Sequence, residues 1–282
     1  MERFELTAGG YRVPVIVIGD GDRCLVCVNA AQQTMVAWGP LAKRFATRAG
    51  YRVVLFDFPN QGRASTVERG LGLIEQAEVV HHVLSHVSPR RAVDLCGASW
   101  GSLVAAACAA RHPSAVNRLM LGSFQVRTNP CLRRLAAESV CLIERDAGRE
   151  VADLFIREFG SALPEPFRQA MRTQFARLTA PQLLQMKIQC ATLAAGADLR
   201  EVVDLDRITA EALIVNGADD PLVDASDAEA TACCFPDAEL RVLPGVGHFL
   251  HLEQPSVVDV HLEFAQRRSD GIAASFEAVV GR

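Results

Sequence analysis

The absences in this sequence narrow the field first. No stretch of roughly 20 uninterrupted apolar residues occurs, so no membrane-spanning helix is expected. The first residues, Met1-Glu2-Arg3-Phe4-Glu5, lack the basic and then apolar regions of a secretory leader. No long run of Lys or Arg is present. The 29 basic residues are set against 33 acidic ones, a formal net charge of −4, which offers no electrostatic footprint for nucleic acid. The H-E-x-x-H pair, the P-loop and a glycine-rich dinucleotide fingerprint after a strand are all missing, as are repeats and low-complexity tracts. The expectation is a chemistry that needs neither metal nor cofactor.

Cysteine is present but not paired. There are nine, an odd number, scattered mostly through apolar stretches. Cys24 and Cys27 match C-x-x-C, yet they lie within the apolar run Cys24-Leu25-Val26-Cys27-Val28, which has the character of a buried strand. No second pair stands at zinc spacing. Core thiols in a reducing, cytoplasmic setting are expected.

Half of the 282 residues are hydrophobic, enough for a sizeable core. Short apolar runs alternate with helical patterns, which is the signature of an α/β fold with a mostly parallel central sheet flanked by helices. Strands are expected at 13–18, 24–29, 52–57, 92–96, 119–123, 212–216 and 239–243. The first two are expected to pair as a hairpin through residues 19–22. Helices are expected at 40–49, 73–86, 101–110 and 256–268. Between residues 125 and 208 the rhythm breaks into four helical patterns, at 130–146, 148–159, 165–178 and 181–193. This segment is expected to be an inserted helical lid, with residues 1–124 and 209–282 forming the core domain. A separate helical domain would leave the sheet without its last two strands.

One pentapeptide carries the chemistry. Gly97-Ala98-Ser99-Trp100-Gly101 follows an expected strand and opens an Ala-rich helix. In that context G-x-S-x-G is a nucleophile elbow rather than an incidental Gly-Ser turn. Serine needs a base, and this fold places its partners in the order Ser, Asp or Glu, His. His248 lies in the glycine-flanked loop Gly245-Val246-Gly247-His248 after the last strand. His251 is a rival without the glycine setting; His81, His82, His86, His112 and His261 fall within helices. Asp219 and Asp220 follow Asn216-Gly217, and the spacing from the glycine favours Asp220. The oxyanion donors are expected to be the backbone N–H of Trp100 and, from the loop after the second expected strand, that of Ala31, with Gln32 next.

These residues resemble the α/β-hydrolase superfamily, and within it the acyltransferases that draw on 3-hydroxyacyl-acyl carrier protein. Two relatives fit: the synthase of the hydroxyalkanoyloxy-alkanoate precursor of rhamnolipids, and the transacylase that feeds polyhydroxyalkanoate synthesis. The matching segments are Val28-Asn29-Ala30, the run from Val53 to Pro59, Ala98-Ser99-Trp100-Gly101, the run from Val215 to Asp220, and Gly247-His248-Phe249-Leu250 with Glu253. The chain departs at Ala30, at Ser102 and at Pro221-Leu222, the last of which resembles an ordinary hydrolase. The resemblance implies the α/β-hydrolase fold and transfer of a 3-hydroxyacyl group from an acyl carrier protein or CoA thioester, through acyl-Ser99, to a hydroxyacyl or thiol acceptor. Hydrolysis of an ester or thioester is the alternative, and a non-catalytic ligand-binding protein is a third reading. For the acyl chain, Leu142, Phe155, Phe159, Phe175 and Met186 are expected to face inward from the lid, with Phe167; core packing of the lid is the competing use of each. Arg127, Arg133 and Arg134 are candidates for a basic rim where an acidic carrier would dock.

Overall fold

The computed structural model describes residues 1–196 and 198–267. The chain forms an eight-stranded sheet from β1 (Glu2–Ala8), β2 (Tyr11–Ile18), β3 (Arg23–Val28), β4 (Tyr51–Phe56), β5 (Val93–Ala98), β6 (Val116–Gly122), β7 (Glu211–Gly217) and β8 (Ala238–Leu243), in the order β1-β2-β4-β3-β5-β6-β7-β8. The pairs β1–β2 and β2–β4 are antiparallel and all others are parallel. The helices are α1 (Gly39–Ala49), α2 (Leu73–Val87), α3 (Trp100–Arg111), α4 (Pro130–Ile143), α5 (Gly148–Glu158), α6 (Glu165–Phe175), α7 (Ala180–Ala194), α8 (Ala228–Ala232) and α9 (Val257–Gln266). The expected end of the last helix at Arg268 lies outside the described residues.

Burial follows the patterns that the strands carry. Val13, Val15 and Val17 of β2 turn inward while the residues between them are only half-buried, as in a strand with one covered face. β3 is buried from Cys24 to Val28 because helices cover both faces. One core joins the sheet to α2 and α3 and includes Val26, Val83, Leu95 and Val104. The opposite core holds Leu25, Cys27, Phe45, Val53 and Leu262 against α1 and α9. Cys24 and Cys27 therefore sit on different faces of the sheet. Both thiols are free and buried, and burial pushes Cys24 up to about 11.

The edge near β1 differs from expectation. The strands at 13–18 and 24–29 do not form a hairpin, because β4 lies between them, antiparallel to β2 and parallel to β3. Residues 19–22 instead pass against the start of β4. A Cβ on Gly19 would stand 2.2 Å from the Tyr51 carbonyl oxygen, and one on Gly21 would stand 1.6 Å from that of Gly50. The two glycines thus permit a close crossing rather than a tight turn. The strand β1 is an addition that pairs with β2.

Between β6 and β7 the chain leaves the sheet for α4 to α7. Asn129 caps α4 by accepting from the Leu132 N–H at 2.7 Å. Thr179 and Gln182 form a capping box at the start of α7. These helices share a small core of their own that includes Ala136, Val151, Phe175, Leu183 and Met186.

Candidate active site

Ser99 stands between β5 and α3 with φ 52° and ψ −122°. That left-handed conformation is costly for a serine and holds only where the surroundings over-determine it. The glycines on either side explain how the turn closes. A Cβ on Gly97 would lie 2.4 Å from the Gly101 carbonyl oxygen, and a Cβ on Gly101 would lie 2.3 Å from that of Val28. The Ser99 N–H donates to the Gly122 carbonyl at 2.8 Å, tying the turn to β6. Trp100 is the first residue of α3, so its N–H has no carbonyl a turn earlier to bond. Its ring is fixed by an indole N–H bond to Gln76.

His248 reaches this turn from the loop after β8. Its Nε2 is 3.0 Å from Ser99 Oγ, and its Nδ1 is 2.7 Å from Asp220 Oδ2. With an anionic carboxylate at Nδ1, the proton belongs on Nδ1, and Nε2 accepts from the serine hydroxyl. The Asp220 side chain is fully buried and that of His248 is 9% exposed. The second Asp220 oxygen accepts from the Leu222 N–H at 2.9 Å. Asp219, by contrast, is exposed. His251 is buried and stacked on Trp38, and it joins no such chain of hydrogen bonds.

The histidine loop is held from three sides. Glu253 accepts from the Gly247 N–H at 2.7 Å and the Phe249 N–H at 2.9 Å. Ser123 Oγ donates to the His248 carbonyl at 2.6 Å. The rings of Phe159 and Phe249 pack edge-on against the imidazole, at 5.0 Å and 5.7 Å between centroids. Ser123 carried no local sequence signal for this role, and Glu253 entered the sequence reading only through the family resemblance. Only the position of Glu253, a few residues past the glycine-flanked histidine, hints at it.

Ala31 and Gln32 lie on the loop after β3, and Gln32 has φ 51°. Neither N–H has a hydrogen-bond acceptor among the described residues, although the neighbouring Ala30 and Gln33 amides are both bonded. The loop is anchored beneath by Asn29, which donates to the Phe56 carbonyl and to Asp57 and accepts from the Trp38 indole. Asp57 also accepts from the Met35 N–H at 2.7 Å. Its burial raises its pKa, while these donors act in the opposite direction. From above, the lid ties down the same turn: Gln32 donates to the Gln182 carbonyl, and Gln174 donates to the Gln32 carbonyl.

Two cavities meet at Ser99 and His248. The larger, about 340 Å³, runs under the lid and is lined by Ala31, Gln32, Phe155, Phe159, Phe175 and Phe249, among others. The smaller, about 80 Å³, lies toward Leu73, Leu103, Val126 and Val202. Leu132, Leu193 and Leu222 border both. Phe155, Phe159, Phe167 and Phe175 line the larger cavity. Leu142 and Met186 do not. Met186 is fully buried in the lid's own core, and Leu142 packs beside it, because the lid helices bury a second face against one another. Two of the three rim arginines are already paired, Arg127 with Asp198 and Arg134 with Glu158. Among the described residues, no group of His, Cys, Asp and Glu converges to hold a metal ion, and no helix is long and apolar enough to cross a membrane.

A model of the alpha/beta hydrolase family matches residues 25–259. Over 183 residues the chain is 28% identical to a pimeloyl-[acyl-carrier protein] methyl ester esterase of Aromatoleum aromaticum, covering 60% of this chain and 72% of the relative. An alpha/beta hydrolase enzyme from a Medee basin deep-sea metagenome superposes with a TM-score of 0.79 at 20% identity, covering 95% of this chain and 99% of the other. The enol-lactonase of Burkholderia xenovorans does so with a TM-score of 0.77 at 18% identity, covering 93% and 100%. At these identities the two structures show a shared fold.

Proposed function

This chain belongs to the alpha/beta hydrolase family, and from that premise we propose that it cleaves acyl esters or thioesters through an acyl-Ser99 intermediate. The observation that carries the reading is the chain of hydrogen bonds from Asp220 through His248 to Ser99, placed at the mouth of an apolar cavity. His248 takes the serine proton as Ser99 Oγ attacks the carbonyl carbon. Asp220 holds the ring in the required tautomer and stabilises the imidazolium. The oxyanion is met by the N–H of Trp100 and by that of Ala31, with Gln32 adjacent on the same turn. Each such donor contributes about 3 kcal/mol in the transition state. His248 then protonates the leaving alkoxide or thiolate, and a water activated by the same imidazole releases the acid and restores Ser99.

The larger cavity takes the acyl chain, with Phe155, Phe159 and Phe175 as its apolar walls. A carrier-linked acyl group is supported by the Aromatoleum relative, whose name gives the methyl ester of a pimeloyl group on acyl carrier protein as its substrate. A second reading is transfer of a 3-hydroxyacyl group from such a thioester, or from CoA, to a hydroxyacyl or thiol acceptor. The specific observation in its favour is the second cavity, which reaches Ser99 and His248 from another side and offers an acceptor a place beside the acyl-serine. The test follows the acyl group of a decanoyl or 3-hydroxydecanoyl thioester. Release of free acid at a rate independent of added acceptor identifies hydrolysis. Diversion into an acyl-acceptor product, rising with acceptor concentration, identifies transfer. No Ser99-dependent turnover of either thioester or of the corresponding methyl esters would overturn both.

A further inference from the structure

Among the described residues of the lid, one buried side-chain amide has neither of its polar atoms partnered. On α7, Gln182 closes the capping box and Gln185 bonds both the N–H and the carbonyl of Leu71, at 2.7 Å and 2.9 Å. Gln174 on α6 donates to Gln32. Gln189 is fully buried, and neither its Nε2 nor its Oε1 has a partner among the described residues. It lines the larger cavity beside Ser139 and Cys190, one helical turn before Leu193. Leu193 borders both cavities, whereas Gln189 borders only the larger, which Ser99 and His248 also line.

A primary amide left unpaired in an apolar site is costly, and a site that keeps one discriminates by it. We infer that Gln189 is a specificity-determining residue, and that it recognises a hydroxyl group carried on the acyl chain. The inference rests on the reading of the larger cavity as the acyl site. A hydroxyl both donates and accepts, so it satisfies Oε1 and Nε2 together. A ketone or ester oxygen would answer only Nε2. A carboxylate is disfavoured, because no Lys or Arg is among the residues lining the cavity to pair with it.

The test is binding, so that it does not depend on turnover. In a Ser99→Ala background, methyl decanoate is compared by calorimetry with methyl hydroxydecanoates bearing the hydroxyl at the third carbon, at mid-chain or at the chain end. One of these positions should bind about tenfold more tightly than the plain chain, the size of one buried hydrogen bond. Adding Gln189→Leu should erase that gain and leave the plain chain bound as well as before or better. Gln189→Met serves as a second variant, with the thermal midpoint of each confirming the fold. The inference is overturned if no position gains, or if the gain survives both substitutions; a site holding only a buried water gives the first of these. Loss of Ser99-dependent turnover with this pattern intact would count against the acyl-enzyme reading alone.

Discussion

Ser99 is strained, and its strain is useful because His248 and the free amides of the adjoining turns are already in position. Ser99→Ala should abolish turnover of ester and thioester substrates while the thermal midpoint stays within a few degrees, since the hydroxyl contributes little packing. Full activity in that variant would remove the basis of the mechanism. The two neighbouring aspartates should separate sharply. Asp220→Asn should lower kcat by roughly 10⁴-fold, the scale of a histidine held in the wrong tautomer. Asp219→Asn, at an exposed side chain, should stay within a few-fold of the parent. The reverse ranking in steady-state kinetics would contradict the hydrogen bonds at His248. His251 gives a pH signature apart from catalysis. Burial lowers its pKa from 6.5 to about 4, so the unfolded chain binds more protons between those values. Stability should be fully present above pH 6.5 and fall as pH drops toward 4, by up to about 3 kcal/mol from this group. Buried His261, lowered in the same direction, adds to the fall. Urea titrations at pH 7.5 and 5 should show the loss, and His251→Phe should reduce it; an unchanged slope would contradict the assignment.

Among the elements, legibility followed the strength of the local signal. The strands of the sheet's middle are continuously apolar because helices cover both faces, and their places were evident from sequence. β1 was not, because Arg3 and Glu5 on an exposed edge dilute the signal of Leu6 and Ala8. The supposed hairpin failed because pairing is decided by which strand inserts between two others, and a glycine-rich connection serves a close crossing as readily as a turn. The elbow and the histidine loop were legible because each requires an unusual backbone that glycine marks. The anchors Ser123, Asn29 and Asp57 were not, since an ordinary polar residue after a strand has no distinctive pattern. In the lid, the helices were visible but their inner faces were not. α7 makes the point energetically. Gln185→Leu leaves both polar groups of Leu71 buried without a partner and should cost about 2–6 kcal/mol, at 1–3 each. Gln189→Leu, one turn along, should be neutral or stabilising. Equal losses in the two variants, measured by urea unfolding, would contradict the lid's hydrogen-bond pattern.

At the scale of the whole molecule, the sheet delivers Ser99, Asp220 and His248 from the ends of β5, β7 and β8, and the lid sets an apolar space over them. Each methylene placed there contributes about 0.8 kcal/mol of burial. Part of that energy can hold the carbonyl against Ser99. Lengthening the acyl chain of a p-nitrophenyl ester from acetate to decanoate should therefore raise kcat/KM steadily, and Phe155→Trp, which fills the cavity, should reverse the trend at the long end. The same kcat/KM at every length would show that the chain lies outside the lid. The most direct measurement of all is the mass of the protein itself. Rapid quenching of a decanoyl thioester reaction, followed by intact-mass and peptide analysis, should show a gain of one acyl group on the peptide containing Ser99. His248→Ala should slow its formation, and Ser99→Ala should eliminate it. Turnover with no acyl adduct at any quench time, or an adduct that persists in Ser99→Ala, would contradict the account.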